Sequence, residues 1–247
     1  MLVRMSFTIT MAIFGAGWIC CVMFGCYDQA AASPVEAEIQ LLQVGTFHGD
    51  EVSAESGEVW LGLYATSGGY ALIPSTIIVE IVYDPFIDNA GEKTGKMVSV
   101  EGQSRPLFLI KGMDAPKGEF IKTLTAEQTI LSPGKSLDLG LDGRNEYHLT
   151  AYGAGDVGPS GFTSLENYSV ELSKGPLSQE LLAYSSTTGA IPTLIWAGDL
   201  DGDSQLDFVI NATPHYAVYS APMLFLSSMA KGGNLVQKVA IFIATGC

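Results

Sequence analysis

Turn-forming residues cut this chain into short pieces, and that spacing limits the possible folds more than any other feature. Gly68-Gly69, Asp88-Asn89-Ala90-Gly91, Ser132-Pro133-Gly134 and Asp142-Gly143 break it at short intervals. Between and beyond them lie Val59 to Ala65, Thr76 to Tyr83, Met97 to Val100, Leu107 to Ile110, Tyr147 to Tyr152, Tyr168 to Leu172 and Gln179 to Tyr184. These runs are rich in β-branched, aromatic and leucine side chains, the composition of strands rather than helices. The pattern predicts an all-β fold of antiparallel sheets, either sandwich-like or divided into two small β subdomains. Only Thr125 to Leu131 reads as a short helical turn.

The chain has 247 residues, 47% of them hydrophobic, which suffices for one sizeable core or two smaller ones. Gly153 to Gly161, glycine-rich and carrying Pro159, is the weakest seam. It divides an N-terminal β subdomain over 33–155 from a C-terminal one over 160–247, and it also reads as one long surface loop. A net charge of −14 repels nucleic acid and anionic membrane surfaces, so neither is expected as a partner.

Residues 1–32 read as an export signal. Arg4 is the only charged residue before Asp28, and it precedes an apolar run from Met5 to Gly25. Two endings compete. Met23-Phe24-Gly25-Cys26 resembles a bacterial lipobox, which implies lipidation of Cys26, whereas Ala30-Ala31-Ala32 supplies the small residues of an ordinary secretory cleavage site. An uncleaved anchor is a third reading, since about twenty apolar residues can cross a bilayer. The chain is therefore expected in the cell envelope or secreted, touching a membrane only through an N-terminal lipid or anchor. With Cys20 and Cys21 inside the signal, Cys26 and Cys247 alone remain, too few for a disulfide framework.

One stretch carries specific chemistry. Asp199, Asp201, Asp203 and Asp207 occupy positions one, three, five and nine of a loop bent at Gly202. Alternate carboxylates on a tight loop give the oxygen-only cage that Ca²⁺ prefers. The expected ligands are those four carboxylates and the backbone carbonyl of Gln205. Without an ion the crowded carboxylates raise one another's pKa values, so binding should order the loop. An EF-hand is excluded, because position twelve is Ile210 where a glutamate is required, and the flanks are strand-like. Those flanks, Pro192 to Ala197 and Phe208 to Ile210, predict a β-hairpin whose connection is the calcium loop. The last runs, Met223 to Ser227 and Leu235 to Phe242, are expected to pair with each other and with that hairpin.

The hairpin loop resembles the calcium loop of FG-GAP and VCBS-type repeats, D-x-D/N-x-D-G-x-x-D between antiparallel strands, with Ser204 where that pattern usually has glycine. In those families the motif recurs from blade to blade, and a propeller needs at least about four blades. Here it occurs once, so a full propeller is not expected. The series Trp196-Ala197-Gly198, Leu224 to Ser228, Gly233 to Val236 and Thr245-Gly246-Cys247 is also similar to a group of exported bacterial proteins, a resemblance that implies no particular activity.

Signs of catalysis are sparse. His48, His148 and His215 lie far apart, and no nucleophile elbow, phosphate loop or HExxH helix accompanies them. His48, next to Asp50 and Glu51, reads as a solvated loop residue, and His148 as a residue on a sheet face. His215, soon after the metal hairpin, is the candidate for the ligand surface or for supporting the metal. Trp60, Tyr64 and Tyr70 are candidates for stacking on sugars, with core packing the commoner fate. Asn167-Tyr168-Ser169 and Asn211-Ala212-Thr213 are glycosylation sequons that matter only in a eukaryotic secretory route. Two functional expectations result. The first is a non-catalytic envelope scaffold with a structural calcium site that binds a protein or glycan. The second is a calcium-dependent hydrolase centred near His215.

Overall fold

The computed structural model describes residues 38–102, 104–114, 116, 120–141, 146–157, 163–213 and 217–245. The expected export signal over 1–32, Cys26, His215 and Cys247 lie outside them. Ala37–Cys247 form one compact unit. The described residues are all-β, with eighteen strands and every pairing antiparallel. The first nine strands are β1 (Gln40–Leu42), β2 (Gly45–Phe47), β3 (Val59–Thr66), β4 (Gly69–Val82), β5 (Gly95–Val100), β6 (Leu109–Lys111), β7 (Phe120–Thr125), β8 (Thr129–Ile130) and β9 (Ser136–Leu139). The remainder are β10 (Tyr147–Val157), β11 (Thr163–Lys174), β12 (Leu177–Gly189), β13 (Thr193–Asp199), β14 (Asp207–Asn211), β15 (Val218–Ser220), β16 (Pro222–Leu226), β17 (Gln237–Ile241) and β18 (Ala244–Thr245).

Twelve strands form one sheet in the order β1-β6-β3-β4-β7-β13-β14-β16-β17, with β5 on β4, β2 on β5 and β8 on β13. The sheet curls until β1 comes back beside β17 without pairing to it, giving a nearly closed barrel rather than propeller blades. A second sheet has the order β12-β11-β10-β9, and β15 pairs with β18.

The alternation of side chains explains how these layers stack. β13, β14 and β16 are buried along nearly their whole length, which is why their sequences read as continuous apolar runs. One face of this trio, with Trp196, Val209, Leu224 and Leu226, joins the core built on β1 to β7, around Trp60, Leu63, Leu72 and Phe108. The other face, with Leu194, Phe208, Ile210 and Phe225, packs on the four-stranded sheet through Leu149, Leu165, Tyr168 and Leu172. A bulge between Leu194 and Trp196 sends both Ile195 and Trp196 into the first core. β16 pairs with β14 and with β17, the arrangement expected of the last apolar runs.

Two local expectations give way to tertiary pairing. Thr125 to Leu131 is not a helical turn; it is the end of β7 followed by β8, whose Thr129 and Ile130 pair with Leu194 and Thr193. Gly153 to Val157 belongs to β10, in register with β11 as far as Val157 opposite Thr163.

Candidate metal centre

The acidic loop joins β13 to β14 at the end of the doubly buried trio. Leu200 and Leu206 anchor it, both fully buried and on opposite sides: Leu200 enters the core of β1 to β7, and Leu206 enters the core beneath the four-stranded sheet. Between these anchors the chain turns through two left-handed residues, Gly202 at φ 86° and Ser204 at φ 66°. Ser204, the residue that departs from the FG-GAP pattern, therefore holds a backbone conformation that glycine adopts without cost.

This geometry brings all four expected aspartates together. Asp199, Asp201, Asp203 and Asp207 each offer a carboxylate oxygen, and these oxygens lie within 4.8 Å of one another. Oxygens that share one calcium ion at roughly 2.3 to 2.6 Å can be at most about 5.2 Å apart, so the cluster fits a single ion. The donor set is oxygen throughout, as a hard cation requires.

Backbone amides organise the loop. Asp199 accepts from the amides of Gly202 (2.9 Å) and Ser204 (3.0 Å). Asp201 accepts from Asp203 N (3.2 Å), and Asp203 from Gln205 N (2.7 Å). Gln205 also donates its side-chain amide to Asp203 at 3.3 Å, which fixes the fifth expected ligand residue against the cluster. Asp207 Oδ2 accepts from Leu200 N at 2.8 Å, closing the loop on itself.

Sequence reasoning missed two contributors, Ser227 and Ser228, which follow β16. Ser227 donates its amide to Asp207 Oδ1 (2.8 Å), and its hydroxyl lies 2.8 Å from the same oxygen and 3.0 Å from Asp203 Oδ2. Ser228 Oγ donates to Asp201 Oδ2 at 2.5 Å. Their only sequence signal is the Ser-Ser pair that ends an apolar strand expected to lie beside the metal hairpin. A carboxylate has about four acceptor sites, and these contacts together with the Leu200 amide take at most three of them on Asp207, so the serines orient the carboxylate oxygens and leave acceptor capacity for a cation.

The electrostatics are uncompensated. Asp207 has no exposed surface, and burial, then the nearby Asp201 charge, pushes its carboxyl up to about 7 despite three hydrogen bonds. Burial also raises Asp199, with the Asp203 and Asp201 charges adding to it. Desolvation and like charges both disfavour the ionised form, and a divalent cation would reverse both effects.

The other candidates disperse. His48 is not a solvated loop residue: its ring is 12% exposed and pairs with Asp84 at 2.5 Å. Glu51 instead accepts from the His48 amide at 3.0 Å and from Thr245. His148 lies on an open sheet face, across from Asp138 at 2.7 Å. Trp60 and Tyr64 are buried, Trp60 donating to Glu58 and Tyr64 sharing a hydrogen bond with Ser75, and Tyr70 is half-buried. The sugar-stacking candidates are thus packed rather than displayed. Of the sequon asparagines, Asn167 is exposed, and Asn211 is half-buried with its side chain accepting from Ala221 N. Among the described residues no helix is long and apolar enough to cross a membrane. No protein-family model, curated protein or solved structure matches the chain.

Proposed function

We propose that this chain is an exported, non-catalytic scaffold in which the Asp199–Asp207 loop binds one calcium ion and fixes the end of the central strands. The carrying observation is the convergence of four carboxylates within 4.8 Å, with Asp207 and Asp199 both raised in pKa. Asp199, Asp201, Asp203, Asp207 and the Gln205 carbonyl are the proposed ligands. The role is structural because the loop ties β13 and β14 to the segment after β16 through Ser227 and Ser228. An ion at this junction would hold together strands that serve both cores. Of the two partner classes, an envelope protein is favoured over a stacked glycan, since Trp60 and Tyr64 are committed to the core.

Thermal unfolding of the purified chain in calcium and in EGTA tests this reading. At free calcium about a hundredfold above the dissociation constant, binding to the folded state alone contributes about 2.7 kcal/mol. For a chain of this size that corresponds to a rise of roughly 5 to 10 °C in the melting temperature. Asp203→Ala should abolish the rise. A melting temperature indifferent to calcium would overturn the proposal.

A further inference from the structure

The outer strands of the fold differ sharply in how they are protected. β1, β2, β9 and β17, each at a margin of its sheet, have three, three, four and five residues. β17 also carries Lys238, and β9 carries Asp138 opposite His148. Short length and charge are the usual means of preventing an edge from recruiting another strand. β12 has neither. It is thirteen residues long, lies at the margin of its sheet, and pairs only with β11 among the described residues. Its sole charged residue is Glu180, and it contains no lysine, arginine or proline.

The two halves of β12 have different surroundings. In the first half Leu177, Ser178 and Glu180 are exposed, but the chain after β16 lies against it at Gln179, whose side chain bonds Leu235 N, Val236 N and Val236 O at 2.8 to 3.1 Å. The second half belongs to a ribbon open to solvent. Ala183, Ser185 and Ser186 are exposed, as are Ser164, Glu166 and Asn167 on β11 and Ala154 and Gly155 on β10. Gly153, at a bulge opposite Asn167 and Tyr168, bends the ribbon there. A cross-strand neighbour could therefore approach β12 from Leu181 onward.

We propose that the outer edge of β12, from Leu181 to Gly189, pairs antiparallel with the same edge of a second copy of the chain. The charge pattern identifies the occupant. A molecule with net charge −14 repels its own copies over most of its surface. Leu181 to Gly189 carries no charge at all, so a two-fold axis through this stretch places no like charges directly opposite one another. Such a contact is isologous and closed, joining two four-stranded sheets into one of eight and removing both exposed edges. A foreign cationic strand would instead gain from carboxylates along the edge, and this segment has none. A single strand edge buries less than the roughly 1,200 to 2,000 Å² of stable complexes, so the dimer forms in a concentration-dependent way.

Sedimentation velocity of the full chain across a micromolar to several-hundred-micromolar series should show a monomer–dimer equilibrium. Ala183→Lys/Ser185→Lys and Ala183→Glu/Ser185→Glu each set like charges across the two-fold axis, so each double variant should dimerise at least tenfold more weakly. An equimolar mixture of the two should restore dimerisation, because lysines then face glutamates. Melting temperatures close to the parent's identify correctly folded variants. A parent that stays monomeric throughout, variants that dimerise like the parent, or a mixture that fails to recover would each overturn the inference. Binding of an extended peptide at β12 by a monomeric chain would reassign the edge to a foreign strand.

Discussion

Two β-hairpin connections in this molecule bury aspartates, and they treat the charge in opposite ways. In the connection from β4 to β5, Asp84 and Asp88 are 3% and 8% exposed. His48 hydrogen-bonds Asp84 and holds its carboxyl below the usual range, with the Phe86 amide assisting. For Asp88 burial pulls upward, and the Thr94 hydroxyl and the amides of Asp84 and Thr94 outweigh it. In the connection from β13 to β14, amides and serines donate just as generously, yet Asp199 and Asp207 are raised. Hydrogen bonding is common to both loops. A partner able to carry positive charge beside the buried carboxylate distinguishes the first, and three neighbouring carboxylates distinguish the second. The first loop is neutralised from within, and the second leaves its buried acidic charge uncompensated, which the proposed ion would neutralise from outside.

The largest test of this contrast is the pH dependence of the chelated chain. Asp207 rises from an ordinary 3.8 to about 7, and each tenfold change in proton affinity is worth about 1.4 kcal/mol. A carboxyl raised in the fold costs nothing below about pH 4, where it is protonated folded or unfolded. The cost grows from about pH 4 and levels off above about 7, at up to about 4 kcal/mol. Calcium should remove it. Urea unfolding in EGTA and in calcium should therefore diverge progressively from pH 5 to about pH 7 and hold a steady gap above it, and a gap constant over the whole range would show that Asp207 does not carry the effect.

The β4–β5 loop should respond differently. The His48 pKa is raised, first by the Asp84 hydrogen bond, so its stabilisation is complete below about 6.5 and is lost as pH rises through the elevated value. Asp84 is lowered, so its contribution is present above about 3.8 and disappears as pH falls below that. His48→Gln should lower stability, abolish the alkaline limb and leave the calcium response intact. Hydrogen exchange of residues 83–94 at pH 6 and pH 9 locates the change. Protection that falls equally in parent and variant would detach the loop from His48.

Ser227 sharpens the comparison at the other site. Ser227→Ala removes the hydroxyl from Asp203 and Asp207 but keeps the amide bond to Asp207. Losing a buried hydrogen bond to a charged group costs about 1 to 3 kcal/mol. The loss should be greater in EGTA than in calcium, because the ion stabilises the same oxygens. Equal losses would make Ser227 a packing residue only.

The difference between the two loops also explains what the sequence could reveal. The acidic cluster was legible because its four aspartates fall within nine consecutive residues, and the central strands because continuous apolar runs mark burial on both faces. His48 and Asp84 stand thirty-six positions apart, so no local pattern announces the pair, and His48 beside Asp50 and Glu51 read only as a solvated loop residue. β1 and β2, of three residues each, are too short to show a period. β4 begins at Gly69 rather than Thr76 because Tyr70 to Pro74 pair with Leu61 to Ala65, a partnership that outweighs the interruption Pro74 suggests. The β8 segment was misread because Ala126, Glu127 and Gln128 favour helix locally, whereas β13 supplies a ladder they cannot see.

The smallest expected effect concerns the residue that separates this loop from the pattern it resembles. Ser204 sits at φ 66°, where a side chain costs roughly 1 to 2 kcal/mol relative to the ordinary helical region. Ser204→Gly removes that strain but gives the unfolded chain more freedom to lose, so a net stabilisation of about 0.5 to 1 kcal/mol is expected. The Ser204 amide already donates to Asp199, and glycine keeps that donor, so the ligand geometry survives the change. The gain should be the same in EGTA and in calcium, since the strain belongs to the backbone that organises the carboxylates rather than to the ion. A gain confined to calcium would mean that the loop takes up this left-handed turn only on binding, and the contrast with the pre-neutralised β4–β5 loop would then be one of order as well as charge.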